Sequence, residues 1–156
     1  MTVATINRGP LTDRLILELS ETNLPVGDNH APEGVFGWQS TDPDADQSQF
    51  IPWMVVTAGT ASAGTGPLAS SASDWKLTYT VFFAGDTRGQ LDWLADKIRI
   101  KLTNIERENV TTESGQWRIQ QIRCTSVGGT VRQGQTFPDY YTQTDLFEVW
   151  LSKELA

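Results

Sequence analysis

The stretch from Trp75 to Ile105 constrains this chain most. It runs WKLTYTVFF, then AGDTRGQ, then LDWLADKIRIKLTNI. In the first part Trp75, Leu77, Tyr79, Val81 and Phe83 alternate with Lys76, Thr78, Thr80 and Phe82, the period of a strand with one buried face. Its β-branched and aromatic residues suit a pleated surface. Gly85 and Asp86 break the strand. Asp86 or Thr87 can cap a helix, and Gln90 follows Thr87 by three residues, the spacing of a capping box. At 100° per residue Leu91, Leu94, Ala95, Ile98, Leu102 and Ile105 then fall on one stripe. Such a stripe has to be buried, and the sheet that holds the preceding strand is the candidate surface. The unit therefore reads as strand, turn and helix, with the helix lying back across the sheet.

The rest of the chain supplies the other layers. Gly9-Pro10 opens a first helix whose apolar side is Leu11, Leu15, Ile16 and Leu19, with Asn23 and Pro25 ending it. Residues 25–50 are punctuated by Pro25, Gly27, Asp28, Asn29, Pro32, Gly34, Gly37 and Pro43, and read as irregular. Residues 52–58 read as a strand. Residues 58–73 are almost entirely Ala, Gly, Ser and Thr, broken by Pro67 and Leu68, and read as a mobile loop joining two antiparallel strands. Residues 107–115 read as a polar turn. Residues 116–124 read as a strand whose imperfect alternation places a bulge near Gln120. The last strand runs from about Tyr140 to Leu151, with Phe147, Val149 and Leu151 on one face and Leu146 and Trp150 on the other. Apolar residues on both faces make it central or covered on both sides. The expected fold is one α+β domain with an antiparallel or mixed sheet of about four to five strands and two helices packed on it. A chain of 156 residues buries about 68–70% of its unfolded surface, enough for a core without staples.

The tests for chemistry fail one after another. Cys124 is the single cysteine, so no intrachain disulfide forms and a cysteine zinc site is not expected; in its strand it reads as a buried, inert thiol. The run Asp42, Asp44, Asp46 begins like a calcium loop, but the sixth and twelfth positions are Gln47 and Trp53, where an EF-hand needs Gly and Glu. His30, between Asp28 and Glu33, has no nucleophile in a recognisable frame. GTGP lacks the Lys-Ser/Thr ending of a phosphate loop. No catalysis, metal or cofactor is expected. No apolar run is long enough to span a membrane, and the start lacks the apolar core of a signal peptide. The net charge is −7, from 19 acidic and 12 basic side chains, which argues against gripping nucleic acid by its phosphates.

Order and texture together resemble a known family, the tail terminator (tail completion) proteins of long-tailed bacteriophages. The residues that carry the resemblance are the short N-terminal helix, the long irregular excursion, the segment TVFFAGDTRGQLDWLADKIRIKL and the closing strand TQTDLFEVWLSKEL. The resemblance implies a structural virion protein, not an enzyme. Such a protein forms a ring, commonly hexameric, that caps the tail tube and joins it to the head at the head–tail junction. Its expected partners are further copies of itself, the tail tube protein and a head-side connector. DNA passes through without specific binding, and no membrane is involved; assembly takes place in the host cytoplasm. An acidic channel suits that passage, because it repels phosphate. Competing readings are another head–tail connector or tail-tube component, and a ligand-binding module suggested by the six tryptophans. Trp75, Trp117 and Trp150 have in-strand positions that core packing explains.

Three groups of residues are candidate contacts. On the main helix, Trp93 and Ile100 fall about 200° and 180° from Leu91, in the middle of the expected solvent face with Gly89. Either the 25–50 excursion covers them within the subunit, or they meet a neighbouring subunit, as a ring requires. Asp42, Asp44 and Asp46 are expected in an acidic rim or channel. Thr65, Pro67 and Leu68 are expected in a loop that contacts a partner.

Overall fold

The computed structural model describes residues 7–39, 49–63, 74–112, 115–134 and 139–153. In chain order its elements are α1 (Gly9–Ser20), β1 (Val26–Asp28), β2 (Gly37–Trp38), β3 (Phe50–Ile51), β4 (Trp53–Ala63) and β5 (Asp74–Gly85). There follow α2 (Arg88–Thr103), β6 (Asn109–Thr112), β7 (Gly115–Val127), β8 (Val131–Gln133) and β9 (Tyr140–Lys153). The organising unit is β5–α2. Trp75, Leu77, Tyr79, Val81 and Phe83 are all buried on one face of β5. Thr87 caps α2, its hydroxyl accepting the Gln90 N–H at 3.1 Å. The Gln90 side chain reaches back to the Asp86 N–H at 2.7 Å, one residue before the position a capping box uses. Leu91, Leu94, Ala95, Ile98, Leu102 and Ile105 are buried. Each large side chain among them contributes about 1.5–3 kcal/mol, so the stripe outweighs the cap, worth about 1 kcal/mol.

The sheet is mixed, in the order β1-β4-β5-β9-β7-β6, with β8 beside the start of β9. Neighbours are antiparallel except β1, which runs parallel to β4. β9 is central, paired with β5 on one side and with β7 and β8 on the other. The helices cover one face, where Met54, Val56, Trp117, Ile119, Ile122, Phe147, Val149 and Leu151 join the residues of β5 in the core. A register shift between Ile119 and Gln121 places the expected bulge at Gln120. It turns both Ile119 and Ile122 to the core, which strict alternation forbids. Arg14 ties α1 down, its guanidinium donating to both Glu108 carboxylate oxygens at 2.9 and 3.0 Å.

Several expectations need correction. The sheet has seven strands among the described residues, where four to five were expected. The missed ones, β1, β6 and β8, have three or four residues each, too few for a period of two to show against turn residues. β6 falls inside what reads as a polar turn, and β2 and β3 form a separate small antiparallel sheet inside the irregular excursion. Ala58–Ala63 continues β4 across a bulge and pairs with β5, where a mobile loop was expected; residues 64–73 lie outside the described part. Cys124 is half-buried, because β7 beyond Arg118 has no strand on its far side among the described residues. Trp75 and Trp117 are core residues, but Trp150 is 39% exposed: its parity on β9 turns it to the face without helices.

Candidate oligomer interface

The outward face of α2 follows from its inward one. Once the apolar stripe is seated on the sheet, the helical period leaves residues near 180–200° pointing away. Trp93 is 48% and Ile100 62% exposed, and Gly89 in the first turn is exposed as well. The Lys97 ammonium lies 4.6 Å from the centroid of the Trp93 ring, a cation–π contact that leaves the rest of the ring open. Leu17 on α1 is also exposed.

Ion pairs pin both flanks of this face. On one side Lys101 is 3.5 Å from Glu21, the residue that caps the C-terminal end of α1. On the other, Arg99 is 3.2 Å from Asp96 and 3.5 Å from Asp145 on the inner face of β9. Asp145 is fully buried. Its Oδ1 accepts the Gly128 N–H at 3.2 Å and the Gln143 amide at 2.9 Å. Among the described residues its Oδ2, like Arg99 Nε, has no hydrogen-bond partner. The carboxylate thus joins α2, β9 and the turn after β7. Only glycine fits at 128, because a Cβ there would lie 2.1 Å from the Thr144 carbonyl oxygen.

The described parts of the 25–50 excursion go elsewhere. Phe36 packs on Trp53 with ring centroids 5.0 Å apart, and Trp53 on Phe82 at 5.3 Å. Trp38 contacts Phe50 at 5.3 Å and donates its indole N–H to the Asp139 carbonyl at 3.1 Å. Trp53 and Phe82 belong to the sheet face opposite the helices, so among the described residues this excursion packs on one end of that face and leaves Trp93 and Ile100 open. Asp42, Asp44 and Asp46, and Thr65, Pro67 and Leu68, lie outside the described residues.

His30 is exposed, its Nδ1 2.8 Å from the Ala31 carbonyl oxygen. Among the described residues no three His, Cys, Asp or Glu side chains stand close enough to hold a metal. A groove of about 370 Å³ beside the start of α1 is lined by Arg8, Gly9, Thr12, Asp13, Asp28, Asn29 and Ala58. Two of its polar side chains are engaged: Arg8 donates to the Gly59 carbonyl, and the Thr12 hydroxyl lies 2.9 Å from the Tyr79 hydroxyl. No described helix is long and apolar enough to cross a membrane.

Sequence reasoning missed the Asp145–Arg99 pair, although the signal was present. Residues 143, 145, 147, 149 and 151 share the inward parity of β9, and an acid in that series needs a cationic or donor partner on the covering helix.

No family model matches the chain, and no curated protein matches it. Thirteen chains among solved structures do. One of them has 13% identity and a TM-score of 0.51, with 96% of this chain and 95% of that one covered. Its name states neither a function nor an organism, and at that identity the likeness concerns the fold alone.

Proposed function

We propose that this chain is a non-catalytic structural protein of a bacteriophage virion, a tail terminator that assembles into a ring, in the first instance a hexamer. The ring caps the tail tube, joins it to a head-side connector and lets DNA pass. The observation that carries this reading is the Trp93–Ile100 stripe on α2. A Trp and an Ile two turns apart are exposed on a helix whose flanks are pinned by ion pairs. A rigid apolar stripe on a preorganised element is what a subunit contact requires, and Trp is enriched among contact hot spots. The resemblance of TVFFAGDTRGQLDWLADKIRIKL to tail terminators and the net charge of −7 agree with a channel that does not hold DNA. Another head–tail connector or a tube component would use the same stripe, and position in the virion separates these roles.

Sedimentation velocity of the purified protein, alone and with isolated tail tubes, tests the proposal. The expected result is a closed ring, or a monomer that becomes a ring at tube ends. A monomer at all concentrations that ignores tail tubes overturns it.

A further inference from the structure

The Arg99 guanidinium is divided between two carboxylates of opposite exposure. Its Nη1 donates to Asp96 Oδ1 at 3.2 Å, and its Nη2 lies 3.5 Å from Asp145 Oδ2 on the covered face of β9. The Asp96 side chain is 73% exposed and the Asp145 side chain 0%. Of the two contacts only the outer one is a hydrogen bond. Among the described residues the buried Arg99 Nε and the buried Asp145 Oδ2 both lack a hydrogen-bond partner. One is a donor and the other an acceptor, and they belong to the two members of one ion pair. A small inward turn of the guanidinium puts Nε and Nη2 side by side on the Asp145 carboxylate, in the fork geometry that arginine favours. The turn gives up Asp96. An exposed pair contributes little, and a buried polar atom without a partner is costly, so the outward and inward positions lie close in free energy.

We infer that Arg99 is a two-position clamp set by the engagement of Asp96. A basic side chain that reaches Asp96 from outside competes with Arg99 in the outward position and not in the inward one. It therefore favours the inward position and lets Arg99 close on Asp145. The closure is felt at the β7–β8 turn. Asp145 Oδ1 accepts the Gly128 N–H at 3.2 Å and the Gln143 amide at 2.9 Å, so fixing the carboxylate fixes the turn. Val127 and Val131, both exposed, flank that turn. A contact made on the solvent side of α2 is thereby passed beneath the helix to a second exposed apolar site. The clamp is a property of the single fold and does not rest on the ring reading, since any basic group that engages Asp96 has the same effect.

Asp96→Ala imitates the engaged state by removing the outer carboxylate. Two measurements test the clamp: hydrogen exchange at the Gly128 amide, read by mass spectrometry with residue-level fragmentation, and crystal structures of the variant and the wild type. In the variant the Gly128 amide is expected to exchange about tenfold more slowly, the effect of gaining about one charge-assisted hydrogen bond. Arg99 Nε is expected at about 2.7–2.9 Å from Asp145 Oδ2. Arg99→Lys has no fork, so adding Asp96→Ala to it is expected to leave Gly128 exchange unchanged. Circular dichroism establishes that each protein is folded; if Arg99→Lys is not, the crystal structure of Asp96→Ala decides. Unchanged or faster Gly128 exchange in Asp96→Ala overturns the clamp. Equal slowing in the Arg99→Lys background overturns it too, as does an Nε joined to Oδ2 through the same water in variant and wild type. None of these readouts is an oligomeric state, so the ring reading can fail while the clamp stands, and the reverse.

Discussion

Replacing Asp145 is the sharpest test of how α2 is held. The carboxylate is 0% exposed and serves two donors, Gly128 N–H and the Gln143 amide, besides facing the Arg99 guanidinium at 3.5 Å. In Asp145→Ala both donors lose their acceptor and Arg99 loses its buried counter-charge. Removing one member of a buried pair costs about 3–5 kcal/mol. The Arg99 side chain is 36% exposed and keeps Asp96 at 3.2 Å, so it can turn toward water, and the lower end applies, about 3 kcal/mol. Asp145→Asn keeps an oxygen for the two donors and loses only the charge, so about 1–2 kcal/mol is expected. For a chain of this size each kcal/mol moves the melting temperature by about 2–4 °C. The Ala variant should therefore melt about 6–12 °C lower. Urea unfolding followed by circular dichroism and tryptophan fluorescence measures the free energies. An Ala variant within about 1 kcal/mol of wild type would refute the organising role of the carboxylate. An Asn variant as damaged as the Ala one would show that the charge, not the two hydrogen bonds, carries the effect.

The two sides of α2 should respond oppositely to truncation. Ile98→Ala is expected to cost about 3 kcal/mol of folding stability, and Ile100→Ala less than about 0.5 kcal/mol, both read from urea midpoints. Trp93→Ala should leave the monomer folded by circular dichroism and cost about 2 kcal/mol or more of assembly by sedimentation; a ring that forms as in wild type speaks against the interface. Burial pushes the Tyr79 phenol above the usual tyrosine value, with Thr12 and Arg8 opposing. A raised folded pKa favours the protonated native state, so its contribution is whole below about pH 10 and is lost as pH rises from there through the folded value. Tyr79→Phe should cost about 1 kcal/mol at neutral pH, because the Thr12 hydroxyl keeps the Arg8 carbonyl at 3.0 Å. The variant should also show a shallower stability loss above pH 10 than wild type; parallel pH profiles for the two proteins would contradict the assignment.

Local pattern was enough for the long elements. β5 and α2 have twelve and sixteen residues, so their periods repeat often enough to identify both type and buried face. The bulge at Gln120 was legible for the same reason, since a long alternation shows where it slips. The outward placement of Trp93 and Ile100 followed from the helical period alone, because burying one side of a helix determines the other.

Tertiary structure decided the rest. The three-residue strands β1 and β8 exist because β4 and β9 present backbone groups for them to pair with, and no local preference announces such a pairing. The inward parity of Asp145 was written in the strand, but its partner Arg99 lies 46 positions away in sequence (145 − 99), and only the seating of α2 brings the two charges together. Trp150 shows the same division. Its parity on β9 was readable, yet whether that face is covered depends on where the 25–50 excursion packs. The described part of the excursion closes over Trp53 and Phe82 and leaves Trp150 exposed. Periodicity tells which side of an element an apolar residue occupies; what lies against that side is settled by long-range contacts that the pattern of a single segment does not encode.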